Sequence, residues 1–116
     1  MNTINEIATR LASLCEKREF LQAYEELYSE HAGSIDPMNK NVPILGLGAL
    51  MERERQFLEN VEIHDVKVAH PSFAGNYFSV IMSLDFTPKD QDRRKVEELC
   101  VYKVEFGKIV SQQFFI

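Results

Sequence analysis

The hydrophobic periodicity of this chain changes once, near Asn60, and that change constrains the fold more than any single residue does. Before Asn60 the apolar residues recur every three or four positions, and after it they alternate up to Ile116. The first pattern is typical of amphipathic helices and the second of strands. Helices followed by a run of strands predict an α+β domain, in which three N-terminal helices pack on one face of an antiparallel β-sheet. We expect one domain over residues 1–116, since this length is common for a single domain.

The first two helices are predicted from caps and apolar stripes. Residues 4–16 read as one helix, with Thr3 and Glu6 spaced as a capping box. A second apolar stripe runs from Phe20 to His31, and Gly33 is expected to end that helix. The following residues 32–36 are expected to be extended.

The third helix is predicted to begin at or after Pro43, and its apolar face carries one charged residue. That face consists of Leu47, Leu50, Met51, Phe57 and Leu58. Glu54 lies in the middle of it, and a carboxylate is rarely buried without a partner. Glu54 therefore either points into the interior of the protein or lies at its rim.

Four long strands are predicted in the second half of the chain. They cover residues 61–70, 77–87, 94–106 and 109–116, with a hairpin turn at Phe106-Gly107-Lys108. The last strand is apolar on both faces near its end, at residues 114–116. Helices can cover only one of those faces, so we expect a homodimer through the outer face of the sheet.

Composition and charge exclude several classes of function. The net charge is −5, which argues against a nucleic-acid partner. No apolar run approaches the length of a membrane span, and the N-terminus has no signal-like segment. Cys15 and Cys100 are the only cysteines and lack zinc-site spacing, so they are expected to be buried thiols in a reducing compartment. We expect a cytoplasmic protein without membrane contact, bound metal or cofactor.

Two stretches carry motifs that recur in one protein superfamily. Residues 27–37, Leu-Tyr-Ser-Glu-His-Ala-Gly-Ser-Ile-Asp-Pro, contain an aromatic residue, acidic residues, an alanine and a short strand that ends in Asp-Pro. Residues 101–110 alternate and contain Gly-Lys-Ile, and Phe114-Phe115 follow. In these features the chain resembles the nuclear transport factor 2-like superfamily, which includes the SnoaL-like polyketide cyclases and the ketosteroid isomerases. The resemblance implies a curved sheet wrapped into a cone-shaped barrel, with an internal apolar pocket and a homodimer contact behind the sheet.

The resemblance to the isomerases also implies a candidate general base. Their base is the aspartate of the Asp-Pro pair, which is Asp36 here. Their tyrosine donor on the first helix aligns with Ala12, and their aspartic acid donor falls among residues 99–102, where only Tyr102 carries a hydroxyl. Loss of one such donor costs roughly 100- to 1000-fold in rate. Steroid isomerisation of that type is therefore not expected, although Asp36 stays a candidate base and Tyr102 a weak assistant.

Two further carboxylates are weak catalytic candidates, and a set of large side chains is expected to line the pocket. The polyketide cyclases use acid–base residues from the strands, and Glu98, which heads an otherwise apolar strand face, suits that role. Glu54 suits it if it points inward. The expected pocket residues are Tyr24, Tyr28, Met51, Phe78, Met82 and Phe114.

Three functions remain open on the sequence alone. The favoured one is a domain that binds a small, largely apolar molecule in its pocket. The second is a cofactor-free enzyme of the isomerase, cyclase or dehydratase kind, with Asp36 as base and Glu54, Glu98 or Tyr102 assisting. The third is a partner-binding or dimerisation domain whose aromatic side chains fill the pocket. The sequence does not identify the ligand or show that any reaction is catalysed.

Overall fold

The structure is a computed structural model that describes residues 3–116, and in this range it contains three helices and seven strands. The helices are α1 (Ile4–Glu16), α2 (Phe20–Leu27) and α3 (Leu47–Glu59). The strands are β1 (Tyr28–Ile35), β2 (Ile44–Leu45), β3 (Val61–Val68), β4 (Ser72–Ala74), β5 (Tyr77–Pro88), β6 (Arg94–Glu105) and β7 (Lys108–Phe115). A single 3₁₀ turn, Pro37–Asn39, follows β1.

The seven strands form one mixed sheet in the order β2-β1-β7-β6-β5-β3, with β4 paired to the start of β5. The predicted α+β class, with three helices on a curved sheet, is confirmed. Two details differ from the prediction. Strand β1 pairs in parallel with β7, whereas the other strand pairs are antiparallel. The sheet also stays open, because β2 and β3 lie at its two ends and do not pair with each other.

The second helix is shorter than predicted. It ends at Leu27, and β1 begins at Tyr28, so His31 and Gly33 lie in a strand and Gly33 does not end a helix. Tyr28 and Ala32 are buried four residues apart. The register between β1 and β7 shifts between Tyr28 and Gly33, and this irregularity breaks the two-residue alternation of the strand. Tyr28 and His31 continue the three- and four-residue spacing of the α2 stripe along the sequence, which explains the wrong assignment, although His31 is exposed in the structure.

The capping box and the amphipathic face of α1 are both confirmed. The Glu6 amide donates to Thr3 Oγ1 at 3.2 Å, and the Thr3 amide donates to Glu6 Oε1 at 3.0 Å. The apolar face of α1, with Ile7, Leu11 and Leu14, is almost fully buried in the main core cluster. This packing places one long helix across the inner face of the sheet.

Side chains at the end of α1 cover the free edge of β3. Arg18 donates to the carbonyl oxygens of Ile63 and His64 at 3.1 and 2.7 Å, and Glu16 accepts from the Val68 amide at 3.0 Å. These bonds satisfy backbone groups that an edge strand otherwise leaves open to pairing with another chain.

The outer face of the sheet carries an exposed apolar row. Ile81, Leu99 and Phe115 lie directly opposite one another on β5, β6 and β7, and each is 43–48% exposed. The predicted hairpin turn between β6 and β7 is confirmed, and its tip residue, Phe106, is fully exposed. The expected homodimer through the outer face stays a prediction.

Candidate functional site

A cavity of about 420 Å³ lies between the three helices and the inner face of the sheet. This volume falls in the range of small-molecule sites. Most of the surface of its walls is apolar. The lining residues come from all three helices and from β1, β5, β6 and β7. The polar or ionisable side chains that line it are Cys15, Tyr24, Tyr28, Ser34, Asp36, Arg53, Glu54, Gln56, Asn60, Glu98, Cys100, Tyr102 and Gln112.

The fold brings most of the sequence-predicted site residues to this one cavity. The lining includes Asp36, Glu54, Glu98 and Tyr102, together with Tyr24, Tyr28, Met82 and Phe114. Phe78 and Met51 are buried but do not line it. Phe78 instead stacks beneath Tyr102, with ring centroids 4.8 Å apart. A ligand-binding role for this set stays a prediction.

Glu54 reaches the cavity from α3 and is largely buried there. Burial raises the pKa of its carboxyl from 4.5 to about 7; the adjacent Arg53 opposes this shift, and the negative charge of Asp36 adds to it. The position of Glu54 in the middle of the apolar helix face is thus explained by its contact with the cavity. A carboxyl with this pKa exists in both protonation states near neutral pH.

Glu98 reaches the same cavity from the sheet. It lies on β6 opposite Met82 of β5, on the face that also carries Cys100 and Tyr102. Burial is again the largest cause that raises its pKa to about 7, followed by the negative charges of Asp36 and Glu54. The charge of Glu54 thus contributes to the raised pKa of Glu98, although less than burial and the charge of Asp36.

Asp36 lines the cavity and also caps the 3₁₀ turn that follows it. Its Oδ1 accepts from the Met38 amide at 2.8 Å, and its Oδ2 lies 3.8 Å from Arg53 Nη2. Asp36 is thus a turn-capping residue as well as a lining residue of the cavity. Arg53 is the only basic side chain among the described residues that line the cavity.

One end of the cavity contains a hydrogen-bond network centred on Gln112, which is 3% exposed. Tyr28 donates its hydroxyl proton to Gln112 Oε1. Gln112 Nε2 donates to Tyr24 Oη at 2.9 Å and to Ser34 Oγ at 3.1 Å. The network links α2, β1 and β7, and the Tyr24 and Tyr28 rings pack with centroids 4.6 Å apart.

Tyr102 and the two tyrosines of the network are neutral donors or acceptors rather than bases. Burial is the main cause that raises the pKa of Tyr24, Tyr28 and Tyr102 above the usual value of 10. The Tyr102 ring is held between Phe78 and Phe114, so its orientation is fixed by aromatic packing.

Sequence reasoning missed Gln112, Ser34 and Arg53. The register of β7 against β6 shifts next to Lys103, which leaves Val110 without a partner and turns Gln112 inward. Strict alternation from the buried Ile109 assigns Gln112 to the outer face, whereas alternation from the expected pocket residue Phe114 assigns it to the inner face, so the sequence left its orientation open. Among residues 3–116, no cluster of three or more His, Cys, Asp or Glu side chains has the geometry of a metal site.

Comparison with known proteins places this fold in a family. The SnoaL-like domain family matches residues 2–116 of the chain. The chain belongs to the SnoaL-like family. The expected resemblance is thereby confirmed, and it covers nearly the whole chain. No curated protein matches the chain.

Solved structures of SnoaL-like and related folds are similar to the chain over nearly its full length. A candidate SnoaL-like polyketide cyclase from Mesorhizobium loti, also named as a carbohydrate phosphatase, is 28% identical with a TM-score of 0.89, and the match covers 98% of this chain and 99% of that one. A protein of ketosteroid isomerase-like fold from Catenulispora acidiphila, solved with trimethylamine, is 16% identical with a TM-score of 0.79. That match covers 98% of this chain and 87% of the other. A nuclear transport factor 2-like protein of unknown function from Burkholderia pseudomallei is 12% identical with a TM-score of 0.80. That match covers 98% of this chain and 91% of the other.

The last two similarities describe the fold alone. The described part of this SnoaL-like chain has no helix long and apolar enough to cross a membrane.

The cavity of this SnoaL-like chain combines two carboxyls that titrate near neutrality with hydroxyl donors and apolar walls. Such a combination can bind a mostly apolar molecule and move a proton on it.

Proposed function

We propose that this SnoaL-like chain binds a small, largely apolar molecule in its cavity and transfers a proton on it with Glu54 and Glu98. One observation carries the proposal: two carboxyls from different layers of the fold line one cavity, and burial raises the pKa of each to about 7. A group with a pKa near the working pH is the most effective general acid or base, because both of its forms are populated.

The reaction class that fits is cofactor-free isomerisation, cyclisation or dehydration. Each of these reactions begins with removal of a proton from a carbon next to an electron-withdrawing group, and a carboxylate in a mostly apolar site suits this step. Similarity to the candidate polyketide cyclase from Mesorhizobium loti supports the class, because ring closure of a polyketide requires such a proton transfer.

The carboxyls of the cavity differ in the role they suit. No hydrogen bond from residues 3–116 contributes to the pKa of Glu54 or of Glu98, so both carboxyls are available to a bound molecule. One carboxylate oxygen of Asp36 accepts a hydrogen bond from the Met38 amide, and the other lies near Arg53. We place Glu54 first as base, because its charge also acts on the hydroxyl of Tyr24 at the cavity, with Glu98 as the second proton-transfer group and Asp36 as the alternative base.

The cavity also supports a ligand rather than the alternative of a cone filled by its own aromatic residues. Phe78 packs beneath Tyr102 at the sheet and leaves the space above open. About 420 Å³ of space is enough for a bicyclic organic molecule of modest size.

Solvent exchange at carbon tests the proposal without knowledge of the natural substrate. The probe is 1-indanone, an apolar bicyclic ketone, and its α-protons are followed by proton NMR in D₂O. The wild type is expected to accelerate exchange over buffer, and Glu54→Gln is expected to reduce the acceleration roughly 100-fold or more, in the range of a lost general base. Glu98→Gln and Asp36→Asn are measured in parallel.

The matched control is Glu59→Gln, an exposed glutamate at the end of the same helix α3. It is expected to exchange the ketone like the wild type. No acceleration by the wild type rejects proton transfer on this substrate class. If exchange is lost in Asp36→Asn but retained in Glu54→Gln, Asp36 and not Glu54 is the base.

A second candidate is binding of a small amine cation. The cavity is lined by the carboxyls of Asp36, Glu54 and Glu98 and by one guanidinium, that of Arg53. The site therefore has an excess of acidic groups. The related fold from Catenulispora acidiphila was solved with trimethylamine. Titration of ¹⁵N-labelled protein with trimethylamine tests this candidate, and absence of saturable shifts at cavity residues rejects it.

A further inference from the structure

The network around Gln112 has a definite direction of hydrogen bonding. An amide nitrogen only donates, so Tyr24 Oη and Ser34 Oγ both act as acceptors toward Gln112 Nε2. The amide oxygen only accepts, and Tyr28 supplies its proton. Gln112 thereby uses both amide hydrogens and its oxygen, which holds its side chain in one orientation.

This direction leaves two hydroxyl protons unused. Tyr24 and Ser34 each accept from Gln112, and neither donates to an acceptor within residues 3–116. Both residues line the cavity, and both oxygens lie within 3.1 Å of the same nitrogen. The two spare protons are therefore at the same end of the cavity, where a bound molecule can accept them.

We propose that Tyr24 and Ser34 form a two-donor subsite for one acceptor oxygen of the ligand, of the carbonyl type, and that Gln112 is the residue that positions both donors. The inference rests on the proposed function and specifies its substrate class as a ketone, ester, lactone or related carbonyl compound. A neutral acceptor is favoured over a cation, because the subsite offers the hydroxyl protons of Tyr24 and Ser34.

The arrangement also suits the proton transfer assigned to Glu54. The negative charge of Glu54 is the largest cause after burial that raises the pKa of Tyr24, so the carboxyl and the hydroxyl are electrostatic neighbours. A carbonyl oxygen that accepts from Tyr24 and Ser34 gains negative charge when its α-carbon loses a proton to Glu54. Donors that strengthen their bonds as this charge develops stabilise the transition state.

A pair of matched probes tests the subsite by binding alone. 1-Indanone and indane share one carbon skeleton and differ in the carbonyl group. Their affinities are measured by titration of ¹⁵N-labelled protein, in the wild type and in Tyr24→Phe, Ser34→Ala and Gln112→Glu. The wild type is expected to bind the ketone more tightly than the hydrocarbon, and each single donor deletion to weaken only the ketone, by about 3- to 10-fold.

The positioning role of Gln112 needs a readout that a structural role alone does not move. In Gln112→Glu the ionised carboxylate accepts from all three hydroxyls, so the protons of Tyr24 and Ser34 turn away from the ligand. The infrared carbonyl stretch of bound [¹³C]-1-indanone is expected to lie below its value in water-free solvent in the wild type. It is expected to return toward that value in Gln112→Glu and Tyr24→Phe.

Tyr77→Phe is the matched control, because Tyr77 is an exposed tyrosine on β5 that does not line the cavity. It is expected to retain the preference for the ketone. Equal affinities for the two probes, no saturable ketone binding, or an unchanged infrared band in Tyr24→Phe overturns the subsite. If the ketone preference holds but its α-protons do not exchange, the subsite stands and the proposed catalysis fails.

Discussion

Glu54 of α3 and Glu98 of β6 face one cavity from opposite layers of the fold, and the charge of Glu54 contributes to the raised pKa of Glu98. Neither carboxyl is paired with a buried cation, so the fold carries an electrostatic cost at neutral pH. Residues held at a cost to stability are typical of functional sites, where activity depends on the groups that destabilise the fold.

Replacement of Glu54 by Gln is expected to stabilise the protein at pH 8 and to change little at pH 4. A pKa raised from 4.5 to about 7 means that the folded state binds more protons than the unfolded state between these values. Stability is therefore lost as pH rises from about 4.5 to 7, by on the order of 3 kcal/mol at pH 8. Urea unfolding at the two pH values measures the difference, with Glu59→Gln as control. An equal effect at pH 4 and pH 8 contradicts the raised pKa.

The rate of ketone α-proton exchange by the wild type is expected to rise with pH and level off above about pH 7. The base must be ionised to accept a proton, and the fraction of ionised Glu54 grows through its pKa of about 7. NMR exchange rates between pH 5 and 9 test this, after subtraction of the buffer rate. A profile that already levels off near pH 5 shows that a carboxyl of ordinary pKa acts as base.

Tyr28→Phe is expected to destabilise the fold by about 1–3 kcal/mol, because it removes the donor to Gln112 Oε1 and leaves that buried acceptor unsatisfied. Chemical denaturation of this variant beside Tyr77→Phe measures the effect. The exposed Tyr77 is expected to tolerate the same change with little loss. Equal stability of the two variants contradicts the buried bond.

Leu99→Arg is expected to convert a dimer into a monomer. Leu99 is the middle residue of the exposed row formed by Ile81, Leu99 and Phe115. A cation at this position opposes burial of the row against a second copy of the chain. Sedimentation velocity at low micromolar concentration measures the mass. Phe106→Asn at the hairpin tip is the control, since it removes a more exposed apolar residue outside the row, at a positive φ that Asn tolerates. A wild type that sediments as a monomer refutes the dimer.

Much of the fold was predictable because helix and strand periodicities are local properties. The bounds of α1 and the faces of β5 and β6 follow from spacing along the chain, and Glu54 was recognisable as a charge on an apolar helix face. The parallel pairing of β1 with β7 was not predictable, because no local pattern records which distant strand lies alongside. The end of α2 was misjudged because Tyr28 and His31, which lie in β1, continue the spacing of the α2 stripe along the sequence.

Local patterns along the chain were enough to predict the α+β class, the three helices, the long strands and the candidate carboxyls Asp36, Glu54 and Glu98. Folding in three dimensions was needed to bring these carboxyls to one cavity and to join Gln112 to Tyr28, Tyr24 and Ser34 at one end of it. The two kinds of information differ in the sequence separation over which they act. Periodicity acts over a few residues, whereas the bond between Tyr28 and Gln112 links positions 84 residues apart, and a strand irregularity next to Val110 turns that glutamine inward.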